Sequence, residues 1–253
     1  MDIYFEEHGT GDRPLLLIHG ALSGIGTSFG TILPMLAKSR RVIAVELQAH
    51  GRTPDVDRPL TVRNFAADLI ELLDRLGIER ADVYGWSMGA AVALELGIKY
   101  PDRVHRLVLA SVTFDEDGIH PGLMDGIQDL QPEHLHGSEF HDEYLRTAPD
   151  PAGWPNLVTK IKAFDADPPS WTADQVRGLA APTLLVLGDS DIIRPEHAVE
   201  MFRLLGGGVA GDLTGLPRCR LAILPGTTHT GIPQRAALVA PLLDEFLEAD
   251  PQE

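Results

Sequence analysis

Short, wholly apolar runs alternate with amphipathic stretches along much of the chain. Each run is bounded by proline, glycine or charged residues, a pattern typical of β-strands that are buried on both faces. We predict five such strands and a sixth near the end of the chain, at residues 15–18, 42–45, 83–84, 107–110, 184–187 and 221–224.

The stretches between the predicted strands indicate helices. From Val62 to Leu76, apolar residues recur at helical spacing, with Thr61 placed to act as N-cap and Gly77 to end the helix. Residues 90–98 repeat that spacing with small side chains, which suits a helix packed closely on a sheet. Strands that alternate with helices form a mostly parallel central sheet with right-handed crossovers and flanking helices. The predicted fold class is therefore α/β.

The alternation stops over residues 112–178. This segment contains 7 of the 19 prolines and carries 4 basic against 13 acidic side chains, a net charge of −9. Helical turns are predicted within it at residues 124–130 and 154–164. Since the strand–helix pattern resumes at Pro182, we expect an insertion that covers one end of the sheet. The predicted organisation is a core over residues 1–111, a cap or lid over 112–178, and the second part of the core over 179–253.

The charge balance argues against two classes of partner. The 253 residues include 21 basic and 37 acidic side chains, for a net charge of −16. So acidic a chain repels phosphate backbones and anionic lipid surfaces, and we expect neither nucleic acid nor a membrane as partner. No apolar run reaches the ~20 residues of a membrane helix, and the first residues lack a signal-peptide pattern. Because Cys219 is the only cysteine, no disulfide can form within the chain, and the expected location is the cytoplasm.

The strongest chemical signal is the segment Gly85-Trp86-Ser87-Met88-Gly89. It follows a predicted strand and precedes the small-residue helix, which is the context that a G-x-S-x-G motif requires. A serine at such a tight turn has a strained backbone and an exposed hydroxyl, and glycines on both sides let the chain approach closely. The helix that begins there presents free N–H groups toward developing negative charge. The motif therefore predicts Ser87 as a nucleophile.

With this motif the chain resembles the α/β-hydrolase family. Residues 15–21 end in His19-Gly20-Ala21 and are similar to the strand and oxyanion loop of that family. The resemblance implies that the backbone N–H groups of Ala21 and Met88 form an oxyanion hole, an arrangement that contributes several kcal/mol to transition-state stabilisation. It also implies that His19 braces the loop and that residues 48–53 pack beside it without a catalytic role.

The same resemblance assigns the partners of the serine. His229 lies just past the last predicted strand, where the family has its catalytic base, and Asp191 is the second aspartate of a G-D-x-D-x-x-x-P segment, where it has the acid. The order Ser87, Asp191, His229 is also that of the family. Two alternatives for the acid stay open: Asp189, whose other role would be to hold the loop, and Asp115, because some relatives carry the acid after that earlier strand.

Neither a cofactor nor a metal ion is expected. The glycines after the first predicted strand resemble a dinucleotide-binding fingerprint, but counting G-x-G-x-x-G from Gly24 places Phe29 at the last glycine position. Several histidines of the insertion have a spacing that matches no familiar ligand pattern and favours a solvated polar surface. They are His120, His134, His136 and His141.

We therefore expect a serine hydrolase that cleaves a small carboxylic ester or related acyl compound through an acyl-enzyme intermediate. Serine at position 87 argues against relatives with aspartate there, the haloalkane dehalogenases and epoxide hydrolases. Similar triads also support perhydrolysis in cofactor-free haloperoxidase-like relatives, lactone hydrolysis and carbon–carbon bond hydrolysis, and a non-catalytic receptor or scaffold is a further alternative. The expected pocket walls are Leu22, Trp86, Phe114, Trp154 and Trp171.

Overall fold

A seven-stranded sheet forms the centre of the computed structural model, which describes residues 1–249 except for the side chain of residue 125. Its strands, in chain order, are β1 (Tyr4–His8), β2 (Leu15–Ile18), β3 (Val42–Glu46), β4 (Ala81–Trp86), β5 (Val104–Ala110), β6 (Thr183–Ser190) and β7 (Cys219–Thr228). The spatial order is β1-β3-β2-β4-β5-β6-β7. All neighbouring pairs are parallel except β1 and β3, which are antiparallel. The predicted α/β class and mostly parallel sheet are confirmed.

Helices connect and flank these strands. They are α1 (Ile25–Phe29), α2 (Leu33–Leu36), α3 (Val62–Arg75), α4 (Met88–Lys99), α5 (Leu123–Gln128), α6 (Glu139–Thr147), α7 (Trp154–Ala166), α8 (Ala173–Arg177), α9 (Pro195–Leu204), α10 (Gly211–Thr214) and α11 (Ala236–Glu248). The helix predicted from residue 62 begins as expected, because the Thr61 side chain accepts a hydrogen bond from the Asn64 N–H. It ends at Arg75, and Gly77 follows with φ +65°, a conformation that glycine adopts without steric cost.

The two edge strands differ from the sequence prediction. β1 was not predicted, because its side chains mix apolar and charged types and are mostly half-buried. β7 was predicted as buried on both faces, and that prediction is wrong: Ile223 is 41% exposed. Both strands lie at an edge of the sheet, so each has a neighbouring strand on one side only. Four of the five inner strands, β2, β3, β4 and β5, are almost wholly buried, as the unbroken apolar runs predict.

The core has one layer on each face of the sheet. Leu16 points to the face covered by α3, where it belongs to the same buried cluster as Leu69. Leu17, the next residue, points to the opposite face and shares a cluster with Leu243 of α11. This alternation follows from the period of two in a strand. Burying one leucine side chain contributes about 1.5–3 kcal/mol to the free energy of folding. Because both faces of the sheet are covered by such side chains, the strands and the residues that follow them are held in fixed positions.

The segment between β5 and β6 holds α5, α6, α7 and α8. We refer to residues 112–178 of it as the cap segment. The helical turns predicted at 124–130 and 154–164 correspond to α5 and α7, whereas α6 and α8 were not predicted. Within residues 1–249, no helix combines the length and apolar character that crossing a membrane requires.

Candidate active site

Ser87 lies at the sharp turn between β4 and α4, with φ 55° and ψ −122°. The flanking glycines permit this turn because there is no room for a side chain. A Cβ on Gly85 would lie 2.1 Å from the carbonyl oxygen of Gly89, and a Cβ on Gly89 would lie 2.0 Å from that of Ile18. Close packing of α4 against β2 and β4 thus holds the serine in a conformation that is unfavourable for a residue with a side chain.

Three side chains from distant parts of the chain form a hydrogen-bonded series. The Ser87 hydroxyl lies 2.8 Å from Nε2 of His229, and Nδ1 of His229 lies 2.7 Å from Oδ1 of Asp191. The Asp191 side chain is fully buried, and that of His229 is 14% exposed. A hydroxyl, an imidazole and a carboxylate in this order form the arrangement in which the imidazole removes the hydroxyl proton and the carboxylate orients the imidazole.

The Asp191 carboxylate receives further hydrogen bonds. Burial raises its pKa, but the hydrogen bonds from His229 and Ser111 and from the Gly188 N–H outweigh burial and hold the pKa below its usual value. Ser111 donates through its hydroxyl to Oδ2, on the side away from His229. Sequence reasoning missed Ser111, although it directly follows β5 and, like Ser87, has a positive φ, of 55°.

The two alternative acids have other partners. Asp189 is exposed and accepts hydrogen bonds from the N–H groups of Gly226 and Thr227, which lower its pKa and hold β7 where it leads to His229. Asp115 accepts from the N–H of Asp117 and begins a short turn. The loop-holding role considered for Asp189 therefore matches its contacts, while the contact with His229 belongs to Asp191.

The loop after β2 lies directly beside Ser87. A Cβ on Gly20 would lie 3.4 Å from that of Ser87 and 2.7 Å from the Trp86 ring, so only glycine fits there. Ala21 and Met88 both line the cavity above the serine. Met88 is the first residue of α4, and an N–H in the first turn of a helix has no partner within the helix. The two residues whose backbone N–H groups are expected to form an oxyanion hole thus border the same cavity as Ser87.

Two buried histidines brace this loop. His19 accepts a hydrogen bond from the Leu47 N–H at Nε2 and lies 2.7 Å from the Gly20 carbonyl through Nδ1. His50 accepts from the Leu22 N–H at Nε2. Burial lowers the pKa of His19 to about 3 and that of His50 to about 4, so both rings are neutral and can accept these hydrogen bonds. The bracing role implied for His19 and the structural role of residues 48–53 agree with these contacts.

A carboxylate of the cap segment binds the same region. Glu143, on α6, is buried and accepts hydrogen bonds from the N–H groups of Gly24, Gly26 and Thr27 at 3.1, 2.7 and 2.9 Å, and from the Thr27 hydroxyl. A Cβ on Gly26 would lie 2.4 Å from Oε1 of Glu143. The glycines that resemble a dinucleotide fingerprint therefore make room for a carboxylate of the chain itself. Sequence reasoning missed this residue.

A cavity of about 350 Å³ extends from Ser87 into the cap segment. Its walls are mostly apolar, and the side chains that supply this character are Met88, Ile119, Met124, Ile127, Leu130, Leu135, Phe140, Ile161, Phe164, Ile192 and Ile193. A few charged residues join them, namely Asp115, Glu116, Lys162 and Asp165. A cavity of this size and character suits a small, largely apolar molecule.

The predicted pocket walls are partly wrong. Leu22 and Trp86 line the cavity, but Phe114, Trp154 and Trp171 do not. Each of these three is buried against another partner: Phe114 stacks on His197, Trp154 packs on Tyr144, and the Trp171 indole donates to Glu95. Aliphatic side chains from α5 and α7 occupy the walls instead. The sequence pattern showed that these aromatic residues belong to the cap segment, but it carried no information about which way each ring points.

Two of the four histidines of the cap segment stack on each other, and one of these two also packs against a tryptophan. His136 stacks on His141 with ring centroids 4.6 Å apart, and His141 packs on the Trp154 ring. Across residues 1–249, no group of three or more histidine, cysteine or acidic side chains is arranged to hold a metal ion.

Comparison with known proteins identifies the family. A family model described as the α/β-hydrolase fold matches residues 13–140. Pimeloyl-(acyl-carrier protein) methyl ester esterase of Neisseria meningitidis serogroup B is 30% identical over 257 residues, which cover 93% of this chain and 93% of that protein. The chain therefore belongs to the α/β-hydrolase fold family, as its resemblance predicted.

Other similarities cover less sequence or show only the fold. A 2-hydroxymuconate semialdehyde hydrolase of Pseudomonas sp. strain CF600 is 41% identical over 110 residues. That match spans 40% of this chain and 38% of the length of the relative. A solved α/β hydrolase from a Medee basin deep-sea metagenome library has a TM-score of 0.76 at 18% identity, over 100% of this chain and 96% of that one.

Proposed function

We propose that the protein is a serine hydrolase that cleaves a small carboxylic ester through an acyl-enzyme intermediate. The observation that carries this proposal is the hydrogen-bonded series from Ser87 through His229 to Asp191 at the floor of an apolar cavity. The Neisseria relative, whose name describes a methyl ester esterase, supports an ester as the substrate. The single cysteine is consistent with the expected cytoplasmic location.

The proposed reaction begins with proton transfer from the Ser87 hydroxyl to Nε2 of His229. The serine oxygen attacks the carbonyl carbon, and the N–H groups of Ala21 and Met88 bind the oxygen that becomes negative. His229 then returns the proton to the leaving alcohol. A water molecule loses a proton to His229 and attacks the acyl-enzyme, and His229 then gives that proton to the Ser87 oxygen as the carboxylic acid is released. Throughout, Asp191 holds the imidazole in place and stabilises its charged form.

Carbon–carbon bond hydrolysis is the second candidate. It is favoured by the 41% identity over 110 residues to the 2-hydroxymuconate semialdehyde hydrolase. The muconate in that name denotes a carboxylate, which a site commonly binds through arginine. Within the described part of the chain, no arginine lines the cavity, and Lys162 already donates to the carbonyl oxygen of Leu130 at 2.9 Å. The cavity therefore favours an uncharged ester over such a substrate.

The test combines labelling with turnover. A fluorophosphonate probe should label the wild-type protein at Ser87, and Ser87→Ala should abolish labelling and lower ester turnover by about 10³-fold or more. Ser170→Ala, which changes an exposed serine of the cap segment, is the matched control and should behave like the wild type. Hydrolysis of a vinylogous 1,5-diketone, or peroxide-dependent bromination, at rates far above those of any ester would contradict the proposal in favour of the other reactions. Failure of Ser87 to react with the probe would favour a non-catalytic role.

A further inference from the structure

Most polar side chains of the cavity already have partners. The Ser111 hydroxyl donates to Asp191, and the Thr113 hydroxyl donates to the carbonyl oxygen of Asp115. The ammonium group of Lys162 donates to the carbonyl oxygen of Leu130 at 2.9 Å. These groups therefore help to build the walls, and their hydrogen bonds leave little capacity for a ligand.

Asp165 differs from these side chains. It lines the cavity from α7 and is half-buried, yet it has no hydrogen-bond or ion-pair partner among residues 1–249. Lys162, one turn earlier on the same helix, donates to Leu130 and forms no ion pair with it. The lining residues around it on α7 and in the following loop are apolar: Ile161, Phe164, Pro168 and Pro169.

Two physical effects disfavour a carboxylate at this position. Burial raises the pKa of Asp165 to about 6, because no hydrogen bond or ion pair within the described residues replaces the lost hydration of its carboxylate. Asp165 is also the penultimate residue of α7, and the negative end of the helix dipole disfavours an anion there. A protonated amine from a ligand would offset both effects, because it supplies a positive charge and N–H donors inside a largely apolar cavity.

The other charged groups of the cavity act in the same direction. Asp115 and Glu116 also line it, and Lys162 is the one basic side chain of the lining within the part of the chain described. The lining thus carries three acidic side chains against one lysine, and an excess of negative charge attracts cations and repels anions. We infer that Asp165 forms a subsite for a protonated amine, so that the preferred substrates are esters whose apolar acyl chain carries an ammonium group. This inference rests on the proposed ester hydrolysis.

Three methyl esters of similar length test the inference: methyl hexanoate, methyl 6-aminohexanoate and monomethyl adipate, which are neutral, cationic and anionic at pH 7.5. For the wild type, we expect kcat/KM for the cationic ester to exceed that for the anionic ester by at least tenfold. Asp165→Asn should lower the ratio of kcat/KM for the cationic ester to kcat/KM for the neutral ester about tenfold. Asp167→Asn, at an exposed position outside the lining, is the matched control and should leave the wild-type ratio unchanged.

A binding measurement separates the subsite from the reaction. In Ser87→Ala, calorimetric titration with methyl 6-aminohexanoate reports binding without turnover, and adding Asp165→Asn should weaken that binding about tenfold. Equal binding with and without Asp165→Asn would overturn the subsite, and so would an unchanged cationic-to-anionic ratio in an active enzyme. Absence of Ser87 labelling together with a binding loss in Asp165→Asn would instead contradict the proposed hydrolysis and leave the subsite in place.

Discussion

Glu143 of the cap segment accepts a hydrogen bond of 2.7 Å from the backbone N–H of Gly26, at the start of α1. The same carboxylate binds the N–H groups of Gly24 and Thr27. Because the loop that carries Ala21 leads directly into this turn, one side chain joins the cap segment to the backbone that we propose binds the oxyanion. We therefore expect that a change at Glu143 alters the position of the loop that carries Ala21.

Glu143→Gln should impair both stability and turnover. A glutamine keeps one acceptor oxygen but directs an NH₂ group at backbone N–H donors, and hydrogen bonds to a charged group contribute about 1.5–3 kcal/mol each. We expect the free energy of unfolding to fall by about 2–4 kcal/mol and kcat to fall about tenfold, with a smaller change in KM, because a displaced oxyanion loop weakens binding of the transition state more than of the substrate. Urea unfolding and ester kinetics measure both effects.

Glu139→Gln is the matched control for that experiment. Glu139 lies one turn earlier on α6 and is exposed, so its substitution should leave the unfolding midpoint and kcat near wild type. A Glu143→Gln protein that loses stability while kcat per folded molecule stays unchanged would show that the contact holds the cap segment without positioning the oxyanion loop.

The identity of the acid can be decided by comparing three carboxylates. Asp191→Asn should lower kcat by about 10³- to 10⁴-fold, because an amide no longer holds the His229 ring in the tautomer that accepts the serine proton. Asp189→Asn and Asp115→Asn should each stay within about fivefold of the wild type, because these side chains bind backbone N–H groups instead. Single-turnover kinetics with an aryl ester gives the comparison, and an equally large loss in Asp189→Asn would refute the assignment of Asp191.

Ser111→Ala should move the pH dependence of the enzyme. The Ser111 hydroxyl donates to the Asp191 carboxylate and helps to lower its pKa. Removing this donor raises the pKa of Asp191, so the loss of kcat/KM that protonation of this carboxylate causes at low pH should begin at a higher pH in the variant. Ser190→Ala, an exposed serine beside the same aspartate in sequence, should leave the profile in place.

His50 should make stability depend on pH in a defined direction. Burial lowers its pKa to about 4 in the folded protein, whereas an unfolded histidine has a pKa of about 6.5. Between these values the unfolded chain binds more protons, so the free energy of unfolding falls as pH falls, by up to about 1.4 kcal/mol per pH unit for this residue. His19 acts in the same direction. Asp82 and Asp165 have pKa values raised to about 6 in the folded protein. Below that pH the folded protein therefore binds more protons at these two residues than the unfolded chain does, and their contribution to the free energy of unfolding rises as pH falls.

Comparing wild type with His50→Gln isolates the contribution of this one ring. At pH 7 the variant should be less stable, because the Leu22 N–H loses its acceptor, and the gap between the two proteins should narrow as pH falls toward 5. Urea unfolding at pH 5, 6 and 7 gives the three differences. His120→Gln, at an exposed position, is the matched control and should leave the free energy of unfolding at pH 7 near that of the wild type. Parallel curves for wild type and His50→Gln would mean that His50 does not titrate as a buried neutral ring.

The sequence by itself determined the inner strands, the main amphipathic helix and the turn that carries Ser87. These features depend on local rules: apolar runs of strand length, a threonine before a helical repeat, and glycines at positions 85 and 89 on both sides of Ser87. Ser87 was located by its motif after a predicted strand, and Asp191 and His229 by the resemblance to the α/β-hydrolase family, which has its acid and base after later strands. The carboxyl ends of neighbouring parallel strands meet at one edge of a sheet, so residues after those strands are brought near one another.

Tertiary structure alone decided the contacts of Glu143, Ser111 and Asp165. Glu143 and Gly26 are 117 positions apart, and Ser111 and Asp191 are 80 apart, so no local pattern encodes either distance. The same limit applies to Trp171 and the other aromatic residues of the cap segment, whose directions depend on how its helices pack. A local pattern specifies backbone conformation and which face is apolar, whereas the partner of a buried polar group depends on the packing of the whole chain.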